Sequence, residues 1–90
     1  MIQNFITECQ KMIDTNEANS TFKSKPLEFR TGKKYHKVIK DGSVFAFIDK
    51  NTGDIYKPAS YSIPAKHIRG NVNKPDWIKC MTPYGPNYLR

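Results

Sequence analysis

The chain has few of the features that mark secreted or membrane proteins. Its 90 residues include two cysteines, Cys9 and Cys80, which do not form a C-x-x-C pair. The N-terminus lacks the basic segment and the uninterrupted apolar segment of a secretion signal. No apolar run approaches the roughly 18 residues that span a bilayer. We therefore expect an intracellular protein that is neither secreted nor embedded in a membrane.

Motifs for catalysis and for cofactor binding are also missing. The sequence contains no glycine-rich phosphate-binding motif and no G-x-S-x-G nucleophile motif. Cys9, His36, His67 and Cys80 could ligate a metal in principle, but they lack the short paired spacing of local metal sites. We therefore expect a protein that is not an enzyme and that needs no metal or other cofactor.

Acidic residues are scarce, and the resulting positive charge is unevenly distributed. The chain has 15 Lys and Arg against 8 Asp and Glu, a net charge of +7. Before position 21 the basic residue is Lys11 and the acidic ones are Glu8, Asp14 and Glu17, so residues 21–90 hold 14 basic and 5 acidic residues. Such asymmetry favours a polyanionic or acidic partner. The alternative is a basic surface that serves only solubility.

Residues 1–16 predict an amphipathic helix. Its apolar residues fall on one stripe at helical spacing. They are Ile2, Phe5, Ile6, Cys9, Met12 and Ile13. A helix of this length is marginal alone, so we expect it to dock on an apolar surface, most simply a sheet. Residues 17–26 are polar, aperiodic and end in Pro26, which predicts a linker.

Residues 27–58 predict an antiparallel β-meander of three to four strands. Asp41-Gly42 separates two alternating segments, 35–40 and 43–49, in the manner of a two-residue type I′ hairpin turn. A further turn at 51–53 leads into another strand.

The hairpin turn also predicts the register of the two strands. Counted from the turn, Lys40 opposes Ser43 and Val38 opposes Phe45 on one face, while Lys37 opposes Ala46 on the other. Both faces of the sheet would then be partly apolar, and one short helix can cover only one of them. The second face needs the C-terminal segment, another subunit in a homodimer, or a ligand.

Residues 59–90 predict a basic turn and a tail. Ser62, Pro64 and Gly70 have the spacing of a cap, an early proline and a stop for a short helical turn over 64–69. The whole chain, 1–90, is thus expected to be a single α+β domain. In it an N-terminal amphipathic helix packs on a three- to four-stranded antiparallel β-meander, followed by the helical turn and an irregular C-terminal tail.

Basic and aromatic side chains alternate along the predicted strands and the basic turn. Cations can neutralise phosphates, and aromatic faces can stack unpaired bases. The candidate residues for binding nucleic acid or an acidic partner are Lys33, Lys34, Lys37, Lys40, Tyr56, Lys57, Tyr61, Lys66, His67 and Arg69. On a regular strand, Lys34 and Lys40 share a face with His36 while Lys37 points to the other. Charge spread over two faces favours wrapping by a flexible strand over docking on a rigid duplex.

Two stretches have a distinctive sequence: 53–60 reads GDIYKPAS and 64–71 reads PAKHIRGN. With the rest of residues 44–72 they resemble a segment of small uncharacterised proteins of tailed bacteriophages and other double-stranded DNA viruses. Those proteins often have tryptophan at the position of Tyr61. The resemblance implies a viral origin and a location in the host cytoplasm or the virion, and it carries over no activity and no site residue.

Two functions remain open from the sequence. The first is a small basic viral protein that binds RNA or DNA without catalysis, with single strands preferred. The second is a protein-binding module, either an inhibitor of a host factor or a minor virion component, whose basic face meets an acidic protein surface.

Overall fold

The apolar stripe of the N-terminal segment lies on a helix, and the segments after it form two antiparallel sheets. The computed structural model describes residues 2–87, so Met1 of the expected helix and residues 88–90 of the expected tail lie outside it. Helix α1 spans Ile2–Asn16. The larger sheet contains β1 (Glu28–Thr31), β2 (Tyr35–Lys40), β3 (Ser43–Asp49), β4 (Asp54–Pro58) and β5 (Pro64–Asn71). A 3-10 turn at Trp77–Cys80 leads into the smaller sheet of β6 (Met81–Thr82) and β7 (Gly85–Pro86).

The α+β class is confirmed, and the large sheet is a meander in which every strand pairs with its neighbour in the chain. It has five strands, more than predicted, because residues 64–69 are not a helical turn. They belong to β5, where Tyr56 of β4 pairs with Ile68 and Ile55 with Gly70. The local helix signals are outweighed by this ladder of backbone hydrogen bonds, and proline is tolerated at the first residue of an edge strand.

The hairpin turn is confirmed, but the predicted register is wrong beyond the first two residue pairs. Asp41 and Gly42 both have positive φ, 49° and 79°, as a type I′ turn requires. Lys40 pairs with Ser43 as predicted, whereas a bulge shifts the pairing between Ile39 and Val38. A bulge adds one residue to one strand and so reverses the faces of everything beyond it.

The bulge gives the sheet one continuous apolar face. Val38 lies opposite Ala46 instead of Phe45, and Ile48 pairs with Ile55 on the next strand. All four of these side chains, Val38, Ala46, Ile48 and Ile55, are fully buried. This face is the core of the protein.

Helix α1 and the C-terminal segment cover this core face together. Phe5, Cys9 and Ile13 of α1 are buried against it, and the Phe5 ring stacks on Trp77 with centroids 5.2 Å apart. Residues 17–26 between helix and sheet contain neither helix nor strand. Within the described residues, no helix is long and apolar enough to cross a membrane. The other face of the sheet, which we call the outer face, is covered neither by α1 nor by Trp77 of the C-terminal segment, which both pack on the core.

Candidate functional site

The outer face carries one row of side chains that crosses the whole sheet. Cross-strand partners in the register link one residue from each of the five strands: Arg30, Lys37, Phe47, Tyr56 and Ile68. Partners in a sheet project from the same face. The row therefore runs from two cations on β1 and β2, across the buried ring of Phe47 and the partly buried ring of Tyr56, to an exposed isoleucine on the edge strand β5.

A groove of about 260 Å³ opens at the cationic end of this row. Its lining residues are Arg30, Thr31, Gly32, Lys33, Lys34, Tyr35, Lys37, Phe47 and Ser62. They come from β1, the β1–β2 turn, β2, β3 and the loop before β5. Four of these residues are cationic and none is acidic. We call this feature the basic groove.

Aromatic rings hold the lysines of the basic groove in place. The Nζ atom of Lys37 lies 4.0 Å from the centroid of the Tyr61 ring and 6.0 Å from that of Phe47. The Nζ atom of Lys34 lies 5.4 Å from the centroid of the Tyr35 ring. A cation over an aromatic face is attracted by the ring quadrupole but keeps its charge. The rings therefore position Lys34 and Lys37 without neutralising them.

The charge of the basic groove is not compensated by carboxylates. Across residues 2–87 the structure has one ion pair within 4.0 Å, between Lys11 and Glu8 of α1. Asp49 lies opposite Tyr35 in the sheet but forms no ion pair with a groove cation. Its carboxylate accepts hydrogen bonds from the backbone N–H groups of Asn51 and Thr52. These bonds hold its pKa below the usual range, and the charge of Lys34 lowers it further by a smaller amount. The groove is therefore an electropositive site that suits an anion.

The family model that matches this sequence covers residues 1–82 and is described as a family of unknown function (DUF7717). The chain belongs to this family. No curated protein and no solved structure matches it. All residues that line the basic groove, and Tyr61 beside it, fall within the part of the chain that the family model covers. The resemblance of residues 44–72 to bacteriophage proteins stays a prediction.

Three of the predicted binding residues contact the C-terminal segment of the protein. Lys40, Lys57 and Arg69 each donate a hydrogen bond to a backbone carbonyl oxygen of the C-terminal segment. The acceptors are Pro83, Pro86 and Asn87, at 2.9, 2.9 and 2.7 Å respectively. These cations fasten the segment that covers the core, so they are structural residues in this conformation.

The predicted division of the lysines between the two faces needs correction. Lys34 precedes β2, in the β1–β2 turn, and its side chain lines the basic groove together with that of Lys37. Lys40 reaches the C-terminal segment instead. Strand alternation does not extend into a turn, so the sequence could not place Lys34 correctly.

The remaining predicted residues lie around the outer face. Lys33 lines the basic groove, and the Tyr56 ring meets that of Tyr35 edge to face with centroids 5.9 Å apart. Lys66 and His67 are exposed on β5, away from the groove lining. Seven residues of the groove and row were not among the predicted candidates: Arg30, Thr31, Gly32, Tyr35, Phe47, Ser62 and Ile68. The register across all five strands was the missing signal, and a bulge decides that register.

The two cysteines are poor nucleophiles in this environment. Burial raises the pKa of the Cys9 thiol to about 12, with smaller contributions from Cys80 and Glu8. Burial also raises the pKa of Cys80. The thiolate is the reactive form of cysteine, so both thiols are protonated at neutral pH. In the described part of the chain, no three His, Cys, Asp or Glu side chains are grouped to hold a metal ion.

Proposed function

We propose that this protein binds nucleic acid through the basic groove and catalyses no reaction on it. The observation that carries the proposal is the convergence of Arg30, Lys33, Lys34 and Lys37 on one groove that has aromatic walls and no acidic residue in its lining. Phosphate neutralisation by such cations supplies most of the affinity of non-specific nucleic-acid binding. The viral setting implied by the sequence resemblance is part of this proposal.

The composition of the outer face favours nucleic acid over an acidic protein. Carboxylates of a protein partner would satisfy the cations, but they would not use the aromatic rings beside them. A nucleotide strand offers both a phosphate and a flat ring in every repeat. The row from Arg30 to Ile68 has the same two components, with charge at one end and apolar groups at the other.

The direct test is a titration of fluorescent oligonucleotides into the purified protein at low and at moderate salt. We expect micromolar affinity at low salt. Because bound phosphates release counterions, the logarithm of the association constant should fall linearly with that of the salt concentration, by roughly 0.7 per phosphate contacted on a single strand. No detectable binding at low salt would end this proposal. A pull-down after nuclease treatment would then test the acidic protein partner.

A pair of charge-reversal variants tests the location of the site. Lys33→Glu with Lys34→Glu removes two cations of the groove lining, whereas Lys74→Glu with Lys79→Glu changes two exposed lysines near the 3-10 turn. Both double variants change the net charge equally. We expect the first to weaken binding by about tenfold or more and to make the salt dependence shallower, since phosphate contacts are lost. The second should stay close to the wild type. An equal loss in both would show that net charge, and not the groove, attracts the nucleic acid.

A further inference from the structure

Exposed apolar side chains are concentrated beside the basic groove. Within residues 2–87 five large apolar or aromatic residues are exposed, and three of them lie in the loop before β5 or on β5 itself. Tyr61 is 52% exposed, Ile63 60% and Ile68 50%. Single exposed apolar residues are ordinary, but a group next to a charged groove indicates a contact surface.

Tyr61 joins this apolar group to the basic groove. Lys37, a lining residue of the groove, places its Nζ atom 4.0 Å from the centroid of the Tyr61 ring. The next residue, Ser62, also lines the groove. The ring therefore has a cation against it on one side, and half of the residue remains open to solvent. An aromatic ring in this state can stack a second flat ring.

A duplex would leave these apolar groups unused. In a double helix each base face is already covered by its neighbours, and the outside consists of phosphates and sugars. Unpaired bases have free faces that stack on aromatic side chains. A single strand can place a phosphate among the groove cations and the adjacent base on Tyr61.

From this juxtaposition we infer that the ligand is single-stranded DNA or RNA, and that Tyr61 stacks one unpaired base while Lys37 and its neighbours hold the phosphates. The inference rests on the proposed function, because it assigns a strand class and a base contact to the same site. Ile63, in the loop before β5, and Ile68, on β5, add further exposed apolar surface beside Tyr61 and along the edge strand.

The test compares Tyr61→Ala with Tyr61→Phe and with Tyr84→Ala. Tyr84 is a matched control because it is also an exposed tyrosine with a lysine over its ring, at 5.2 Å from Lys40. Lys40 does not line the groove, whereas Lys37, the lysine over Tyr61, does. The ligands are a fluorescent single strand of about 12 nucleotides, a length within the site sizes of small binding domains. A strand of the same length that carries abasic sites and a duplex of the same length complete the set. Circular dichroism of each variant shows that it is folded.

We expect Tyr61→Ala to lower the affinity for the intact single strand by about fivefold or more, the usual consequence of losing one stacking contact. Tyr61→Phe keeps the ring and should bind as the wild type does, and so should Tyr84→Ala. The abasic strand should bind the wild type more weakly and should not distinguish the wild type from Tyr61→Ala. Duplex affinity should not change in any of these variants.

Two results would overturn the inference and leave the proposed function intact. One is unchanged single-strand binding by Tyr61→Ala while the Lys33 and Lys34 double variant still loses affinity. The other is an equal loss for intact and abasic strands, which would mean that Tyr61 acts only by positioning Lys37. Absence of binding to every oligonucleotide at low salt would instead overturn the proposed function itself.

Discussion

Asp49 shows how one buried carboxylate supports the outer face. It ends β3, and its Oδ1 atom accepts hydrogen bonds from the N–H groups of Asn51 at 2.8 Å and Thr52 at 3.0 Å. These bonds fix the turn that leads from β3 to β4. Phe47 and Tyr56, the aromatic centre of the cross-sheet row, lie on those two strands. The anionic side chain therefore helps to align the row without approaching the groove cations closely.

The lowered pKa of Asp49 makes its contribution to stability depend on pH. Its folded-state pKa lies below the unfolded-state value of about 3.9, so the stabilisation is fully present above that value and is lost as the pH falls through the folded-state pKa. We expect Asp49→Ala to lower the free energy of unfolding by about 1–3 kcal/mol at neutral pH, because two backbone donors lose their acceptor. The variant should also lose less stability than the wild type on acidification.

Urea unfolding at neutral pH and at about pH 3 measures this difference. Asp76→Ala is the control, since Asp76 is exposed and its side chain makes no capping hydrogen bond to the 3-10 turn. Parallel pH curves for wild type and Asp49→Ala would contradict the assignment.

At the scale of elements, the β2–β3 hairpin decides which side chains face the core. Its turn fixes the first residue pairs. Because of the bulge next to Ile39, the cross-strand partner of Val38 is Ala46 instead of Phe45. Phe47 consequently lies on the outer face, opposite Lys37. The bulge is therefore the local feature that separates the buried core face from the aromatic outer face.

The turn itself depends on glycine at position 42. Gly42 has a φ of 79°, and no atom lies within 4 Å of the position that a Cβ would occupy. A substitution there is thus strained by backbone conformation alone. We expect Gly42→Ala to lower the free energy of unfolding by about 1 kcal/mol or more.

Gly32→Ala is the matched control for this change, because Gly32 is exposed in the β1–β2 turn and does not have a positive φ. Thermal unfolding followed by circular dichroism compares the two variants. Equal stability of Gly42→Ala and the wild type would argue against the type I′ turn.

At the scale of the whole molecule, residues from the two ends of the described chain close the core. The buried side chains Phe5, Cys9 and Ile13 enter from α1, while Trp77 and Met81 enter from the C-terminal segment. Lys40, Lys57 and Arg69 hold that segment against the sheet through its carbonyl oxygens. Both covers lie on the core face. On the outer face Phe47 is buried by its neighbours, whereas Tyr61 and Ile68 are half exposed.

The contact between the ends makes Phe5 a sensitive position. Phe5 is fully buried and stacks on Trp77, so Phe5→Ala should lower the free energy of unfolding by about 3–5 kcal/mol, the usual cost of a cavity of that size. Phe22→Ala removes the same side chain from an exposed site in the loop after α1 and should change stability by less than about 0.5 kcal/mol. Urea unfolding of both variants is the measurement. Similar effects of the two substitutions would mean that α1 is not part of the core.

The sequence by itself determined the features that depend on neighbouring residues. The spacing of Phe5, Cys9 and Ile13 predicts the helix face that is buried, since residues three to four apart share a side. Asp41-Gly42 predicts the hairpin turn because it suits two positive φ angles. The α+β class and the excess of cations after residue 20 follow from the same local reading.

Only the tertiary structure decided the features that depend on pairing between distant residues. Residues 64–69 have the cap, proline and stop of a helical turn, yet pairing with β4 makes them a strand. The sequence does not distinguish the cations that line the groove from those that have a structural role. Lys37 lines the groove, whereas Lys40 donates a hydrogen bond to the carbonyl oxygen of Pro83, 43 positions further along the chain. The physical reason is that a bulge or an added strand changes the partners of many side chains at once, while it leaves the local pattern around each of them unchanged.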